Sequence, residues 1–562
     1  MKRAVFRIEG QRKSALETAR ERLALVLLVF VFAFIALAGR LFQLTVIEGA
    51  TERERIALAP AQRHPPRADI IERNGILMAT SIPSVTLAVR PSRLIDRQGT
   101  ADKIAAILPE FSRAYIAARI APRAGVVQIK QHLSPREHYL LNAIGDPGIE
   151  FVKDYKRVYP NGALAAHAVG FTDADGVGRL GIEGFLNDRL VAAGAEGAAQ
   201  PMAIDLRIQH AVEDELWRAM SRHQAIGAAG IVLDIRNGQV LAMASLPDFD
   251  PNAVGKSPVS FQTNRATNAT YELGSVFKIF TLAGALDLGV ISLADRFDAT
   301  APLRVGKYSI RDDHPENRWL TTPEVLIHSS NIASARIALA MGPERQRRFL
   351  DALGLLQPLA LEVRETASPQ VWGRWGELKA MTISYGHGLA VSPMHVAQAA
   401  AAILNGGTLI QATLLADDDE AGLIVGRQVI AAQTSRAMRE LMRLVVTDGT
   451  GGNADVPGYR IGGKTGTAEK ASGRSYQRHA NITTFLGAFP MDDPRYVVMA
   501  MLDEAKPSKE TMGFAGAGWM AAPIVRNVVL RAAPLLGVAP SPRDVDVTLE
   551  RLVLSTSARR QR

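Results

Sequence analysis

Ser275 and Lys278 stand three residues apart in LGSVFKIFTLAGALDLG, a stretch with helical apolar periodicity. Three-residue spacing on a helix puts both side chains on one face, where the lysine amine can take the serine proton. A lysine does this only when burial or nearby positive charge lowers its pKa. A serine at a helix start also has backbone N–H groups aimed at developing negative charge. Alone, this spacing is equally that of an exposed helix pair.

Two further short segments supply what such a nucleophile needs. Ser329-Ser330-Asn331 opens the helix-like SNIASARIALAMG. Ser329 can relay a proton and the Asn331 amide can hold a substrate carbonyl, although these residue types also favour plain helix capping. Lys464-Thr465-Gly466-Thr467 lies in YRIGGKTGTAEK, whose glycines suggest a strand closely approached by a ligand. There Lys464 offers positive charge to a carboxylate, Thr465 and Thr467 offer hydroxyls, and the Thr467 N–H offers half of an oxyanion hole.

The elements that must hold these groups can be read around them. From Asp205 onward, RIQHAVEDELWRAMSRH reads as a helix, and AAGIVLDIRNGQVLAMAS reads as two strands turning at Asn237-Gly238. Helical patterns follow between residues 275 and 445, then the strand candidates NITTFLGAF and YVVMAMLDE. Strands at both ends with helices between predict an α+β domain with an antiparallel sheet flanked by helices. Upstream, ADIIERNGILMAT has a turn signal at Asn74-Gly75, and residues 51–202 alternate short strand-like runs with turns.

Leu23 to Gly39 carries no charge, and apolar character resumes after Arg40 as LFQLTVI. That length spans a hydrocarbon core, and Arg40 near one end can snorkel. Seven basic residues (Lys2, Arg3, Arg7, Arg12, Lys13, Arg20 and Arg22) precede it and predict a cytoplasmic N-terminus. Ala36-Leu37-Ala38 resembles a peptidase site, but the apolar pattern continues past it, favouring an uncleaved anchor. Of 562 residues, 47% are hydrophobic and none is cysteine, which excludes extensive disorder, disulfides and thiol chemistry. The net charge of +9 sits largely at the ends, where Arg559, Arg560 and Arg562 close the chain. No basic helix with interleaved aromatics points to nucleic acid.

The set Ser-x-x-Lys, Ser-x-Asn and Lys-Thr-Gly resembles the penicillin-binding protein and serine β-lactamase superfamily. NRATNATYELGSVFK, TISYGHGLAVSP, VPGYRIGGKTGTAEK, AAPIV and the upstream RADIIERNGILMATS are similar to class B penicillin-binding proteins. The Ser-Ser-Asn and Lys-Thr-Gly-Thr-Ala versions look most like the septal cell-division type. The elongation type, which usually has Asp in place of Asn331, is the alternative. The chain departs from the family at Leu273 (usually Pro), Val276 (usually Thr), Ala68 (usually Gly) and Glu72 (usually Asp).

The resemblance implies a basic cytoplasmic tail (1–22), an anchor (23–44), an elongated β-rich pedestal (45–202), a transpeptidase domain (203–540) and a basic tail (541–562). It implies D,D-transpeptidation of peptidoglycan stem peptides through a Ser275 acyl-enzyme. Lys278 would act as base, Ser329 and Asn331 would assist, and Lys464, Thr465, Gly466 and Thr467 would bind substrate. β-Lactams would be covalent inhibitors, and no metal or organic cofactor is required. A lipid II polymerase of the FtsW type and other division proteins would be partners. The location implied is the inner membrane at the division site, with the catalytic domain periplasmic. Asp312, Asp313 and His314 lie between the first two motifs, equally able to line a cleft or form a solvated loop.

One reading of another class shares a motif. Gly458 to Thr465 fits the phosphate-binding pattern G-x-x-x-x-G-K-[ST], with VVMAMLDE as an accompanying strand. A P-loop needs a strand before the first glycine and a helix from the lysine, and the flanking NADVP and GTAEKASGRS supply neither. A non-catalytic β-lactam-binding scaffold is the remaining alternative.

Overall fold

The computed structural model describes residues 6–43, 66–122, 125–416, 426–472 and 475–541. Lys2, Arg3, the last residue of the expected anchor and Arg559, Arg560 and Arg562 of the C-terminal tail lie outside them. The first helix is Phe6–Phe42. Its segment Arg22–Phe42 is long and apolar enough to cross a membrane, and none of it is buried in protein.

The chain forms two compact units. The first comprises residues 1–65 and 82–156, the second residues 66–81 and 157–562. The second unit thus includes two stretches that the sequence reading places in the pedestal. Within the first unit, Val127–Lys130 pairs antiparallel with the end of Leu77–Val89, and Arg97–Ile107, Arg113–Arg119 and Pro135–Asn142 are helices. Leu87, Val89, Ile104, Leu108, Ile116 and Ile129 form its core.

In the second unit the turn expected at Asn74-Gly75 forms. Glu72 and Gly75 close it through Gly75 N–H to Glu72 O at 2.9 Å, with Gly75 at φ +87°. Glu72, in place of the usual Asp, is buried and accepts the Asn74 N–H at 2.6 Å. Nearby, Glu183 is fully buried between Arg67 and Arg157, each 2.6 Å away.

The main sheet has five antiparallel strands in the order Gly462–Ser472, Ser475–Phe489, Tyr496–Asp503, Gly227–Asp234, Val240–Leu246. The last two strands join through the expected turn, where Gly238 has φ +77°. Period-two alternation places neighbouring residues in different cores. Val498, Ala500 and Leu502 pack with the helices Leu206–Arg222 and Ala522–Leu535. Val497, Met499 and Met501 face the cluster containing the helices Lys278–Asp287, Asn331–Met341, Pro393–Leu404 and Ala432–Thr447. Every residue of Tyr496–Asp503 is therefore buried. At Gly230 a Cβ would lie 2.5 Å from Val212, so the Leu206–Arg222 helix sits directly on the strand. This arrangement leaves Gly462–Ser472 as an edge strand, facing the Ser275 segment.

Candidate active site

Ser275 lies in a 3₁₀ turn, Gly274–Phe277, and Lys278 is the first residue of the α-helix that continues it. Residues three apart eclipse in a 3₁₀ turn, which brings the two side chains together more directly than an α-helical start. Lys278 Nζ stands 2.7 Å from Ser275 Oγ. Leu273 and Val276, two of the four departures from the family pattern, are buried at this turn.

The turn is wedged against the edge strand. A Cβ on Gly466 would lie 2.3 Å from the Leu273 carbonyl oxygen, and one on Gly274 would lie 2.7 Å from the Thr467 carbonyl oxygen. The close approach at Gly466, expected from a ligand, is made instead by the segment that carries Ser275. From behind, Gly386 (φ +90°) presses on Gly274, since a Cβ there would lie 2.0 Å from the Gly274 oxygen. Tyr271 and Val391 exchange backbone hydrogen bonds of 2.9 and 3.1 Å, tying the same two segments together.

Ser329, Ser330 and Asn331 divide the roles that sequence left open. Ser330 is the cap, accepting the Ala333 N–H at 3.1 Å. Ser329, held at φ +58°, presents its carbonyl and hydroxyl oxygens to Lys278 Nζ at 2.8 and 3.2 Å. A left-handed non-glycine residue is strained, and here the strain aims both oxygens at one amine. Asn331 Oδ1 accepts from the same nitrogen at 2.6 Å.

Asp312 anchors this helix start. Its carboxylate accepts the Ser330 hydroxyl at 2.7 Å and the N–H groups of Asn331 and Ile332 at 2.5 and 2.9 Å. A carboxylate there complements the helix dipole as well as the free donors. Nothing in the loop sequence RDDHPENR distinguishes this aspartate from its neighbour.

Lys278 is fully buried, and burial pushes its amine down to about 7, with Asp312 and Asp313 pulling the other way. An amine titrating there has the neutral form a general base requires. Lys464 is also fully buried, donating to the Thr465 carbonyl and hydroxyl at 3.1 and 3.2 Å. Burial and the Lys278 charge hold its amine well below the usual lysine range. A carboxylate beside it would favour the charged form that the sequence reading gives this lysine.

A cleft of about 400 Å³ joins these groups: Ser275 and Ser329 line it together with Thr450, Thr465, Thr467 and Trp519. Thr450 and Thr465 hydroxyls are 2.7 Å apart, and Thr467 Oγ1 accepts the Ala517 N–H at 3.1 Å. Thr450 and Trp519 carry no sequence signal, because they reach the cleft from a turn and from the short helix Ala517–Met520, outside the three motifs. All eight expected site residues belong to this one neighbourhood.

Residues 228–529 match the penicillin binding protein transpeptidase domain, and residues 62–200 match the penicillin-binding protein dimerisation domain. A probable peptidoglycan D,D-transpeptidase FtsI of Caulobacter vibrioides is 38% identical over 484 residues, covering 84% of this chain and 82% of that protein. The chain belongs to the class B penicillin-binding proteins. The peptidoglycan D,D-transpeptidase FtsI of Escherichia coli is 28% identical over 526 residues, covering 87% of this chain and 88% of that one. The transpeptidase domain of penicillin-binding protein 3 from Burkholderia pseudomallei superposes with a TM-score of 0.55 at 31% identity, covering 61% of this chain and 98% of that one. A peptidoglycan synthetase of Bifidobacterium adolescentis, 22% identical, shares the fold with a TM-score of 0.68 over 86% of this chain and 98% of its own.

For a class B penicillin-binding protein the nucleotide-binding reading of Gly458 to Thr465 fails on geometry. Lys464 and Thr465 lie inside a β-strand, opposite Leu486 and Phe485, and no helix starts at the lysine. A P-loop directs its N–H groups at phosphate from a helix N-terminus, which is absent here.

Proposed function

We propose that this chain is a serine-type peptidoglycan D,D-transpeptidase of septal wall synthesis, acting through an acyl-enzyme on Ser275. The observation that carries the reading is the 2.7 Å contact between Ser275 Oγ and a fully buried lysine amine whose pKa burial brings to about 7.

Lys278 takes the proton as Ser275 Oγ adds to the penultimate D-Ala carbonyl of a stem peptide. The Ser275 and Thr467 N–H groups receive the oxyanion, and Thr465, Thr467 and Lys464 receive the terminal carboxylate. The C–N bond breaks, and the departing D-Ala amine gains its proton through Lys278 and Ser329. An amine of a second stem peptide then displaces Ser275 and forms the cross-link. β-Lactams enter by the first step and leave slowly.

The septal role is supported by relatives named FtsI and by Asn331 in the middle motif. The basic residues before the apolar helix support a single pass with the N-terminus cytoplasmic and the catalytic domain outside, and a septal role would put it at the division site. Residues 45–202 would be the pedestal and 203–540 the transpeptidase domain, and the two family matches fall inside those bounds. A lipid II polymerase of the FtsW type would supply the glycan strands.

The test is intact mass of the full-length protein in detergent after incubation with benzylpenicillin, beside Ser275→Ala. One equivalent of adduct in the wild type and none in the variant is expected. An unmodified wild type that melts cooperatively would sink the reading.

A further inference from the structure

Asp312, Asp313 and His314 arrive together in sequence, and the structure separates their uses. Asp312 is committed to the Asn331 helix start. Asp313 is exposed and lines the cleft beside His314, His328, Ser275 and Ser329. Among the described residues its carboxylate takes part in no hydrogen bond or ion pair, although it lies within electrostatic range of Lys278 and His387.

The other acid on this side is occupied. Glu316 Oε1 is 3.2 Å from His328 Nδ1, and Glu316 Oε2 is 3.4 Å from Arg318 Nε. Arg318 also faces His328 Nε2 at 3.4 Å. A guanidinium has no acceptor, so Nε2 accepts and the Nδ1 proton points at Glu316. Asp313 is thus the acid on this wall that remains open to a ligand.

The cleft lining therefore holds groups of opposite chemistry. Thr450, Thr465 and Thr467 hydroxyls, with Lys464 behind them, suit an anionic group. Asp313, which lines the same cleft as Ser275 and Ser329, suits a cationic one. A transpeptidation has one substrate of each kind at its reacting end, a donor ending in a carboxylate and an acceptor bringing an amine.

We propose that Asp313, on the wall shared with His314 and His328, holds the cationic primary amine of the acceptor stem peptide. The proposal rests on the D,D-transpeptidase reading and names the second half of that site. Water competes with the amine for the same ester but carries no charge, so Asp313 raises the share of transfer over hydrolysis. Its role is to bind and orient the acceptor, whose ammonium gives one proton to solvent before the neutral amine attacks the ester carbon. The C–O bond to Ser275 then breaks, and Oγ leaves with the proton the nitrogen sheds.

The test uses full-length protein in detergent with a thioester analogue of the donor peptide. Partition of the acyl-enzyme is measured with a primary-amine peptide, and separately with methanol, as acceptor. Asp313→Asn is expected to lower the ratio of aminolysis to hydrolysis about fivefold, leave the ratio of methanolysis to hydrolysis unchanged, and regain most of the loss as Asp313→Glu. An unchanged aminolysis ratio overturns the proposal. So does a parallel fall in methanolysis, which would mean that Asp313 shapes the cleft and does not recognise charge. Wild-type protein that forms no acyl-enzyme overturns the transpeptidase reading itself, a result read from the first step alone.

Discussion

Asp312 accepts the backbone N–H of Asn331 at 2.5 Å, and Asn331 passes the constraint on by presenting Oδ1 to Lys278 Nζ at 2.6 Å. An aspartate outside the three motifs thereby fixes where Lys278, the proposed general base, sits.

Asp312→Ala leaves three donors at the helix start without their acceptor. Charge-assisted bonds of this kind support a loss of about 2 kcal/mol in stability. Acylation by a chromogenic cephalosporin should slow about tenfold, because a misplaced base costs proton-transfer efficiency. Stopped-flow acylation with calorimetric melting checks both, and a variant that melts lower but acylates at the wild-type rate contradicts the linkage.

On the proposed mechanism the Lys278 amine, pushed down to about 7, sets the pH dependence of acylation. Only its neutral form accepts the serine proton. The second-order rate with benzylpenicillin should therefore rise through pH 7 and fall about tenfold per unit below it. A rate flat between pH 5.5 and 7.5 would assign the base elsewhere.

The same shift makes a stability prediction. The Lys278 pKa is lower in the folded chain than in the unfolded one, so the unfolded state binds more protons between about 7 and 10.5. Stability from this group therefore rises with pH across that window and is least below it. Melting temperatures at pH 7 and pH 9 should show the rise in wild type and a smaller one in Lys278→Met.

Gly386→Ala places a Cβ 2.0 Å from the Gly274 carbonyl oxygen at φ +90°, where side chains are also strained. The clash displaces the nucleophile turn from behind. Acylation should fall about a hundredfold, against a stability loss of about 1–3 kcal/mol. A crystal structure of the variant with Ser275 unmoved would refute this account.

Glu183→Gln removes the charge between two buried guanidiniums, Arg67 and Arg157. Breaking a buried pair from one side costs about 3–5 kcal/mol. A drop in melting temperature that exceeds that of Asp312→Ala is expected, with the rate of acylation per folded molecule retained.

That these groups would meet was legible because they sit in short runs with fixed spacing. Ser275 with Lys278, Ser329 with Asn331, and Lys464 through Thr467 each carry their own local geometry. The sheet was legible as well, through β-branched runs and the Asn-Gly turns. Asp312 and Thr450 were not, since each becomes functional only when distant loops meet, and loop composition holds no record of the partner. The compact units also differ from the expected boundary at residue 202, because Glu183, Arg67 and Arg157 share one buried cluster, which keeps those segments in the second unit.

Lys464 has a further consequence. Its amine is buried beside another amine, and among the described residues no carboxylate lies within ion-pair distance of it. A carboxylate entering the cleft restores the conditions for protonation, so occupancy and proton uptake are thermodynamically linked. Anionic inhibitors would then strengthen the amine's hold on its proton, exchange protons with the buffer at any pH between its free and bound pKa values, and weaken as the solution becomes more alkaline. Analogues lacking the carboxylate would bind without that exchange, and calorimetry in buffers of different ionisation heat would separate the two kinds.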